Sequence, residues 1–493
     1  MQGISILGIG DWADGLIDGI ERAGRDASAW FEPTLRIGVT GLSGAGKTVF
    51  ITALVASLLS RGRMRLLSAE AEGRIDAAML RPQPDRQVPR FAYEAHAAGL
   101  AAKRPVWPQS TRQVSQLRLS LRYRPGGFVA SLAGTATLHL DIVDYPGEWL
   151  LDLPLIEQGY QTWARGALAL AETPARRDAA RGWHAALAAA DPAQPHDEPV
   201  AEALAKAWAG YLAAGRDAGL SALAPGRFLM PGDLAGSPAL TFAPLPKPEN
   251  PAQGGRRDGL RGSLYAEMGE RYDAYKRVVV KPFFRDHFAR LDRQVVLIDA
   301  LDALAKGPRA LGDLTATMAE TLACFRHGRS SWLDRLMGGR RIDRILFAAS
   351  KADHLHHEQH PRLTALVEAM LAEAANRAAF RGGQVRAVAL AAIRATVEQE
   401  ITRDGERVAL VRGRRLPDRK EAAVFPGELP ADAAATLATA ATALPGEAPA
   451  DWPDAAYAAV KFAPPRWGAG NGDGPPHIRL DAALEYLIGD KLE

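Results

Sequence analysis

The sequence predicts an α/β fold built on a central sheet that is mostly parallel and has one antiparallel edge strand. Three apolar runs, 295–301, 345–350 and 385–392, are continuous, as in parallel strands buried on both faces, and helical stretches lie between them. Two other runs, 116–123 and 135–143, alternate apolar and polar residues around a short break that contains Pro and Gly. Alternating strands joined in this way favour an antiparallel pair.

The chain has 493 residues, which is longer than a chain that folds around one ordinary hydrophobic core. Several domains or a large insertion are therefore expected. The stretch between the two groups of strands is rich in Ala and has helical periodicity, with a Pro- and Gly-rich interruption. We therefore predict an N-terminal amphipathic helix at 1–30, the first part of a core at 31–150, a mainly helical insert at 151–290, the second part of the core at 291–400 and a C-terminal extension at 401–493.

The composition is that of a globular protein, with 47% hydrophobic and 24% charged residues. A net charge of +3 is small for this length and argues against nucleic-acid binding. Cys324 is the single cysteine, which excludes an intramolecular disulfide framework and agrees with a cytoplasmic location. No stretch resembles a spanning apolar helix, and the lack of a basic region before the first apolar residues leads us to expect no secretory signal. The amphipathic N-terminal helix leaves peripheral membrane association open, although its acidic face favours docking on the protein itself.

A glycine-rich loop lies between a predicted strand at 35–40 and a predicted helix at 49–59. It matches the phosphate-binding loop pattern, in which backbone N–H groups curl around an anion at the start of a helix. We expect Lys47 to reach the β- and γ-phosphates and the Thr48 hydroxyl to bind Mg²⁺. The loop residues predicted to bind nucleotide are Gly41, Ser43, Gly44, Ala45, Gly46, Lys47 and Thr48.

The motif Asp144-Tyr145-Pro146-Gly147 closes the strand predicted at 135–143. An Asp at this place can hold Mg²⁺ through water, and the N–H of Gly147 can contact a γ-phosphate and move when that phosphate leaves. Glu148 follows, at the position where many regulatory GTPases have Gln. Its carboxylate could orient the attacking water, but its charge opposes the phosphate, so we expect slow turnover.

Thr111 lies in a loop just before the predicted strand at 116–123. Its hydroxyl is a candidate Mg²⁺ ligand that senses the γ-phosphate, and an ordinary loop role is the alternative. Lys47, Thr111 and Glu148 are thus the candidate catalytic residues. Arg112 is the nearest candidate for an arginine finger, although a surface ion pair is the more common role for such a residue.

Ser350-Lys351-Ala352-Asp353 follows the predicted strand at 345–349 and is similar to the guanine-selecting motif Asn/Thr-Lys-x-Asp. A carboxylate at Asp353 accepts from both the ring N–H and the amine of guanine, which adenine cannot offer. The stem of Lys351 can cover the flat face of the base. At the end of the last predicted strand, a backbone N–H near Ala392 could contact the guanine carbonyl.

Two clusters of titratable residues each allow two roles. Four histidines, His354, His356, His357 and His360, follow the base-selecting motif. They meet no fixed zinc spacing, so a polar helix start is favoured over a metal site. The pair Asp299 and Asp302 would either add a magnesium contact or simply terminate the preceding strand.

The order of these motifs resembles the bacterial YcjX-like family of P-loop GTPases. The resemblance implies a Ras-like core with a helical insertion after the magnesium-binding strand, GTP or GDP as ligand, Mg²⁺, slow GTP hydrolysis and a link to bacterial stress responses through a protein partner that is unknown. The residues that carry this resemblance are 41–48, 107–112, 144–150, 228–232, 350–357 and 478–481.

The function predicted from these residues is that of a GTP-dependent conformational switch, in which loss of the γ-phosphate moves the insert through Gly147. Two alternatives stay open. One is a P-loop kinase that phosphorylates a small substrate inside the insert and has no need of Asp353. The other is a nucleotide-dependent scaffold that does not hydrolyse GTP, since the sequence shows no water-orienting Gln after Gly147.

Overall fold

The structure is a computed structural model. It describes residues 32–42, 44–109, 113–126, 134–248, 261–323, 342–380, 384–443, 452–453, 460–467 and 473–493. The predicted N-terminal helix at 1–30 lies outside the described residues, as do Ser43, Thr111 and Arg112.

Seven strands form one sheet in the order β2-β3-β4-β1-β5-β6-β7. Their bounds are β1 Thr34–Thr40, β2 Ile75–Arg81, β3 Ser115–Tyr123, β4 Ala136–Asp144, β5 Arg293–Ile298, β6 Arg344–Ala349 and β7 Gln384–Ala389. β4, β1, β5, β6 and β7 are mutually parallel, whereas β3 is antiparallel to β4. This confirms the predicted α/β class and its mostly parallel sheet.

β3 is the antiparallel strand that the sequence predicted, but a further strand lies outside it. β2 pairs antiparallel with β3 and forms the actual edge of the sheet. The sequence of β2 centres on Ala77, Ala78 and Met79, which alternate too weakly to be recognised as a strand.

The helices occupy the connections between strands. Their bounds are α1 Lys47–Ser60, α2 Ser68–Ala71, α3 Tyr93–Ala101, α4 Tyr160–Ala171, α5 Arg181–Ala188, α6 Glu198–Asp217, α7 Leu264–Tyr275, α8 Lys281–Asp286, α9 Ala300–Ala305, α10 Pro308–Ala323, α11 His360–Phe380, α12 Ala433–Thr442 and α13 Leu480–Ile488. Among the described helices, none is both long and apolar enough to cross a membrane.

Two apolar cores lie on opposite faces of the sheet, because successive residues of a strand point to opposite sides. On one face, Val295 and Leu297 pack with α1 and with the C-terminal helix α13. On the other face, Val296 and Ile298 pack with the helices between β4 and β5 and with α10 and α11. The phosphate-loop helix and the helical region between β4 and β5 therefore meet the sheet from opposite sides.

The described part of the chain between β4 and β5 is mainly helical. It opens with a 3-10 stretch, the Gly147–Glu157 segment, continues through α4 to α6, and returns to the sheet through α7, a π turn at Lys276–Val280 and α8. Between α6 and α7 it forms only short 3-10 turns where the sequence is rich in Pro and Gly. The boundaries of the insert and of the other parts stay predictions.

A second, smaller sheet follows β7. It contains β8 Thr396–Arg403, β9 Glu406–Arg414 and β10 Glu421–Val424 in the antiparallel order β10-β9-β8. β8 is exposed along most of its length and carries charged residues, so its sequence lacks the apolar alternation of a half-buried strand.

Candidate functional site

The glycine-rich loop connects β1 to α1 at the carboxyl end of the sheet. α1 begins at Lys47, directly after Gly46, whose φ of 89° is a conformation that favours glycine. The Lys47 ammonium is buried and donates to the carbonyl of Gly41 at 2.6 Å, so the side chain lies across the loop. The first turn of α1 contains no acidic residue that would oppose an anion.

Asp144 and Gly147 lie beside this loop. In the parallel register of β1 and β4, Asp144 pairs with Val39, and its side chain is almost fully buried. A Cβ on Gly147 would lie 2.1 Å from the carbonyl oxygen of Gly41 and 2.9 Å from the nitrogen of Leu42. Only glycine therefore permits the backbone to approach the phosphate loop this closely.

The base-selecting motif lies at the end of β6, two strands away from β1 in the sheet. The Asp353 carboxylate is buried, and its Oδ2 accepts from the backbone N–H of Ala395 at 2.8 Å. The hydroxyl of Thr396 donates to the Asp353 carbonyl. The bond from Ala395, just before β8, therefore orients the carboxylate, and the bond from Thr396, the first residue of β8, holds the backbone of Asp353.

Lys351 has a left-handed backbone with φ of 62°, and its ammonium forms an ion pair with Asp299. The Asp299 carboxylate also accepts from the N–H of Asp302 at 3.2 Å and caps the start of α9. Asp299 thus ends β5 and positions Lys351.

A cavity of about 290 Å³ joins the phosphate loop to the base-selecting motif. It brings together these predicted residues: Gly44, Ala45, Gly46, Lys47, Thr48, Ser350, Lys351, Asp353 and Ala392. Gly41, Asp144 and Gly147 are not among its lining residues, although Lys47 connects Gly41 to it by a hydrogen bond.

The outer wall of this cavity comes from residues that the sequence analysis did not select as a group. Trp107 and Phe462 line it together with Leu416 and Lys461 of the C-terminal part. The Trp107 indole donates to the Phe462 carbonyl at 2.8 Å, and the Phe462 ring meets His354 edge-on at 5.2 Å. No local pattern in the sequence marks Phe462 as a neighbour of a loop more than 350 positions earlier.

Glu148 lies on the other side of the phosphate loop. It is buried and lines a smaller cavity of about 110 Å³, next to Leu42 and Ala45 of the loop. Arg216 at the end of α6 and Lys306 after α9 line the same cavity. Asp299 and Asp302 line it as well, so Glu148 shares this cavity with both basic and acidic residues and does not line the cavity that reaches Asp353.

The Gly147–Glu157 segment is held by the helical region through buried polar contacts. Asp152 accepts from the N–H of Gly226 at 2.6 Å and from the hydroxyl of Tyr275 at 2.6 Å. A Cβ on Gly226 would lie 1.8 Å from the carbonyl oxygen of Glu148, so this approach also requires glycine.

An aromatic ring also contributes to the contact between the Gly147–Glu157 segment and the helical region. The guanidinium of Arg227 stacks over the Trp149 ring at 3.2 Å, and the Trp149 indole donates to the carbonyl of Met230 at 2.9 Å. The direct contacts of the segment thus involve the turn at 226–230 and α7.

Burial raises the pKa of Asp152 to about 6, although its bonds from Tyr275 and Gly226 oppose this shift. Because the pKa of Asp152 is higher in the folded state than in the unfolded state, protonation of Asp152 stabilises the fold. This contribution to the unfolding free energy is complete in acid and is lost as pH rises through about 6. Between pH 5 and 7.5 we expect the wild type to lose about 1.4 kcal/mol of unfolding free energy relative to Asp152→Asn. Urea unfolding of both proteins at the two pH values measures this difference.

The exposed Asp178 provides a matched control, since its carboxylate is 91% exposed. Asp178→Asn is expected to follow the wild type at both pH values. A pH dependence that is the same for the wild type and Asp152→Asn would show that Asp152 titrates normally in the folded protein.

The sheet order, the glycine-rich loop between β1 and α1, and a cavity that runs from this loop to a buried Asp at the end of β6 define a P-loop protein with a Ras-like α/β fold. Comparison with known proteins agrees with this class. The profile of the YcjX-like family, DUF463, matches residues 35–492, and the chain belongs to that family.

Two relatives cover nearly the whole chain, and both are named Ras-like GTPase YcjX. The protein from Escherichia coli is 39% identical over 463 residues, which span 93% of this chain and 96% of the relative. The protein from Shewanella oneidensis is 37% identical over 481 residues, which span 93% of this chain and 95% of the relative.

Proposed function

We propose that this protein binds GTP and GDP, hydrolyses GTP slowly with Mg²⁺ and acts as a nucleotide-dependent conformational switch. The single observation that carries the proposal is the cavity that connects the phosphate loop to the buried carboxylate of Asp353. The names of the two relatives support GTP as the nucleotide.

The phosphate end of the cavity suits a polyphosphate. The start of α1 contributes its partial positive charge, and Lys47 contributes an ammonium that is already oriented across the loop. A phosphate oxygen would replace the Gly41 carbonyl as the acceptor for Lys47. Backbone N–H groups of 44–48 would bind the remaining oxygens.

The residues beside the loop fit a magnesium ion, because Mg²⁺ prefers hydroxyl and carboxylate oxygens. Thr48 in the first turn of α1 and the buried Asp144 offer these donors. Thr111 is proposed as a further ligand. When bound, the ion neutralises negative charge on the phosphates.

At the other end, the bond from Ala395 orients the Asp353 carboxylate, whose remaining lone pairs can accept from the two guanine donors. The Lys351 ammonium is held by Asp299, so the Lys351 stem can lie along the base. The lining position of Ala392 supports a backbone contact to the guanine carbonyl.

Slow hydrolysis follows from the chemistry of Glu148. A carboxylate can orient water, but it places negative charge near a phosphate that is itself anionic. Multiple-turnover rates typical of metabolic enzymes, about 10 s⁻¹, would contradict this part of the proposal.

The proposed function is tested by two measurements on the full chain. Titration with fluorescent GDP and ADP should show tight binding of the guanine nucleotide alone, whereas preference for ADP would favour the kinase alternative. Single-turnover release of phosphate from GTP should be slow but complete, whereas none at all would favour the scaffold.

The contacts of the Gly147–Glu157 segment support the proposed switch. Gly147 touches the phosphate loop, and the next residues are held by Gly226 and Tyr275 of the helical region. Movement of Gly147 on loss of the γ-phosphate would therefore shift that region relative to the sheet. Small-angle scattering should differ between the GDP state and the GTP-analogue state, and identical profiles would argue against the switch.

Phe462→Ala removes one wall of the cavity, so we expect the dissociation constant for GDP to rise about tenfold. The ring contact to His354 is lost, while the backbone acceptor for Trp107 is kept. Fluorescent-nucleotide titration measures the effect. Phe425→Ala is the matched control because Phe425 is an exposed aromatic residue, and equal affinities for both variants would contradict the role of the wall.

The setting of this activity is proposed as the bacterial cytoplasm, in a stress response that involves a protein partner. The single cysteine supports the compartment.

A further inference from the structure

A cluster of histidine and glutamate side chains lies next to the base-selecting motif but takes no part in the nucleotide cavity. His356, His357 and Glu358 each offer one ligand atom, and these atoms lie within 4.8 Å of one another. Glu398 and Glu400 of β8 approach the same place. The cluster thus joins the segment after Asp353 to the small sheet.

His356 is the centre of the cluster. Its ring is 98% buried, yet its Nδ1 makes no hydrogen bond. Oε2 of Glu358 lies 3.3 Å from this nitrogen. Two donors on a tetrahedral ion with bonds of about 2.0 Å lie about 3.3 Å apart, so the spacing suits a shared ion.

The carboxylates around these rings lie where they can accept hydrogen bonds from metal-binding histidines. Glu398 accepts from Nδ1 of His357 at 2.6 Å and lies 3.6 Å from Nε2 of His356. A carboxylate on one ring nitrogen is the arrangement that orients the other nitrogen of a metal-binding histidine. Arg407 contacts Oε1 of Glu358 at 3.2 Å, which leaves Oε2 of that carboxylate for an ion.

We propose that His356, His357 and Glu358 bind a divalent cation of the zinc class, with Glu398 as the orienting carboxylate. Two imidazoles and a carboxylate are a donor set that Zn²⁺ accepts, and water would complete the coordination. His357 and Glu358 are exposed and can close the remaining separation by rotation of their side chains. This reverses the expectation from spacing alone, which favoured a polar helix start.

The ion would stabilise the base-selecting part of the nucleotide cavity. His356 follows Asp353 by three residues, and the segment 395–398 at the start of β8 supplies both the bonds to Asp353 and the carboxylate of Glu398. An ion at the cluster would therefore hold β8 against the segment that positions Asp353. This coupling rests on the proposed function, whereas the ion site itself does not.

The test uses the tag-free full-length protein, stripped of metal with a chelator and titrated with Co²⁺, followed by competition with Zn²⁺. We expect one equivalent of Co²⁺ with visible bands of a tetrahedral site, displaced by one equivalent of Zn²⁺. Glu358→Gln should weaken Zn²⁺ binding at least tenfold without a change in fold, since Glu358 is exposed, and His356→Ala should abolish it.

His184→Ala is the matched control, because His184 also lies within reach of an exposed glutamate, Glu172, at 3.4 Å. This variant should bind as the wild type does. The site is refuted if the wild type shows no saturable binding, or if Glu358→Gln and His356→Ala both bind like the control. If Zn²⁺ binds as expected but leaves the GDP dissociation constant unchanged, only the coupling is refuted.

Discussion

Asp353→Asn is expected to raise the dissociation constant for GDP by about 100-fold or more and to create affinity for xanthosine diphosphate. The variant loses a carboxylate that accepts from two donors of guanine, each bond contributing about 1.5–3 kcal/mol. Xanthine carries a carbonyl where guanine carries an amine, and the Asn amide can donate to it. Competition among GDP, ADP and xanthosine diphosphate for a fluorescent nucleotide measures the change.

The Asn amide oxygen can still accept from Ala395, so the loop should keep its conformation. Asp404→Asn is the matched control, since Asp404 is an exposed residue in the turn between β8 and β9. Unchanged GDP affinity in Asp353→Asn would mean that the base does not lie at this carboxylate. Loss of GDP binding without any gain of xanthosine diphosphate binding would point to a change in the fold.

Lys47→Ala is expected to weaken GDP and GTP binding by about 100-fold or more and to abolish detectable hydrolysis. The variant removes a buried ammonium that would donate charge-assisted bonds to the phosphates. Nucleotide titration and single-turnover phosphate release measure both effects.

Lys206→Ala is the control for loss of a lysine, because Lys206 is exposed on α6. It should bind and hydrolyse as the wild type does. Guanine nucleotide binding that persists in Lys47→Ala at wild-type affinity would show that the phosphates lie elsewhere.

The phosphate loop and the base-selecting motif could be predicted because each is a local pattern. The glycines before Lys47 are adjacent in sequence and depend on one strand and one helix. The place of Asp353 follows from the apolar run before it, since parallel strands end at a common edge of the sheet. The structure brings these two motifs to one cavity, as the order of motifs indicated.

The outer wall of the cavity could not be predicted, because its residues are brought together only by the tertiary fold. Phe462 and Trp107 are separated by 355 positions and are joined by a bond to a backbone carbonyl, which leaves no residue signature. The position of Glu148 on the far side of the loop is a similar case. Arg216 and Lys306 line the same cavity as Glu148, although the sequence does not show that these distant segments meet.

The edge strands were missed for a different reason. β2 has small residues at its centre, and β8 is solvated on both sides for most of its length. The periodic signal of a strand comes from burial on one face, so strands without such a face are hard to recognise. The surroundings of His356 could not be predicted for the same reason, because its neighbours Glu398 and Glu400 lie on β8.

The position of α13 has a consequence for biosynthesis. Leu484, Leu487 and Ile488 of this last helix fill the core beneath α1, and the carbonyl of Leu492 accepts from Arg74. The side of the sheet that supports the phosphate loop is therefore completed by a segment that is synthesised long after the loop itself. We expect this side to stay open in a nascent chain until α13 has been made, and an insertion within α13 to disturb the fold more than an insertion in the exposed turn at 404–405.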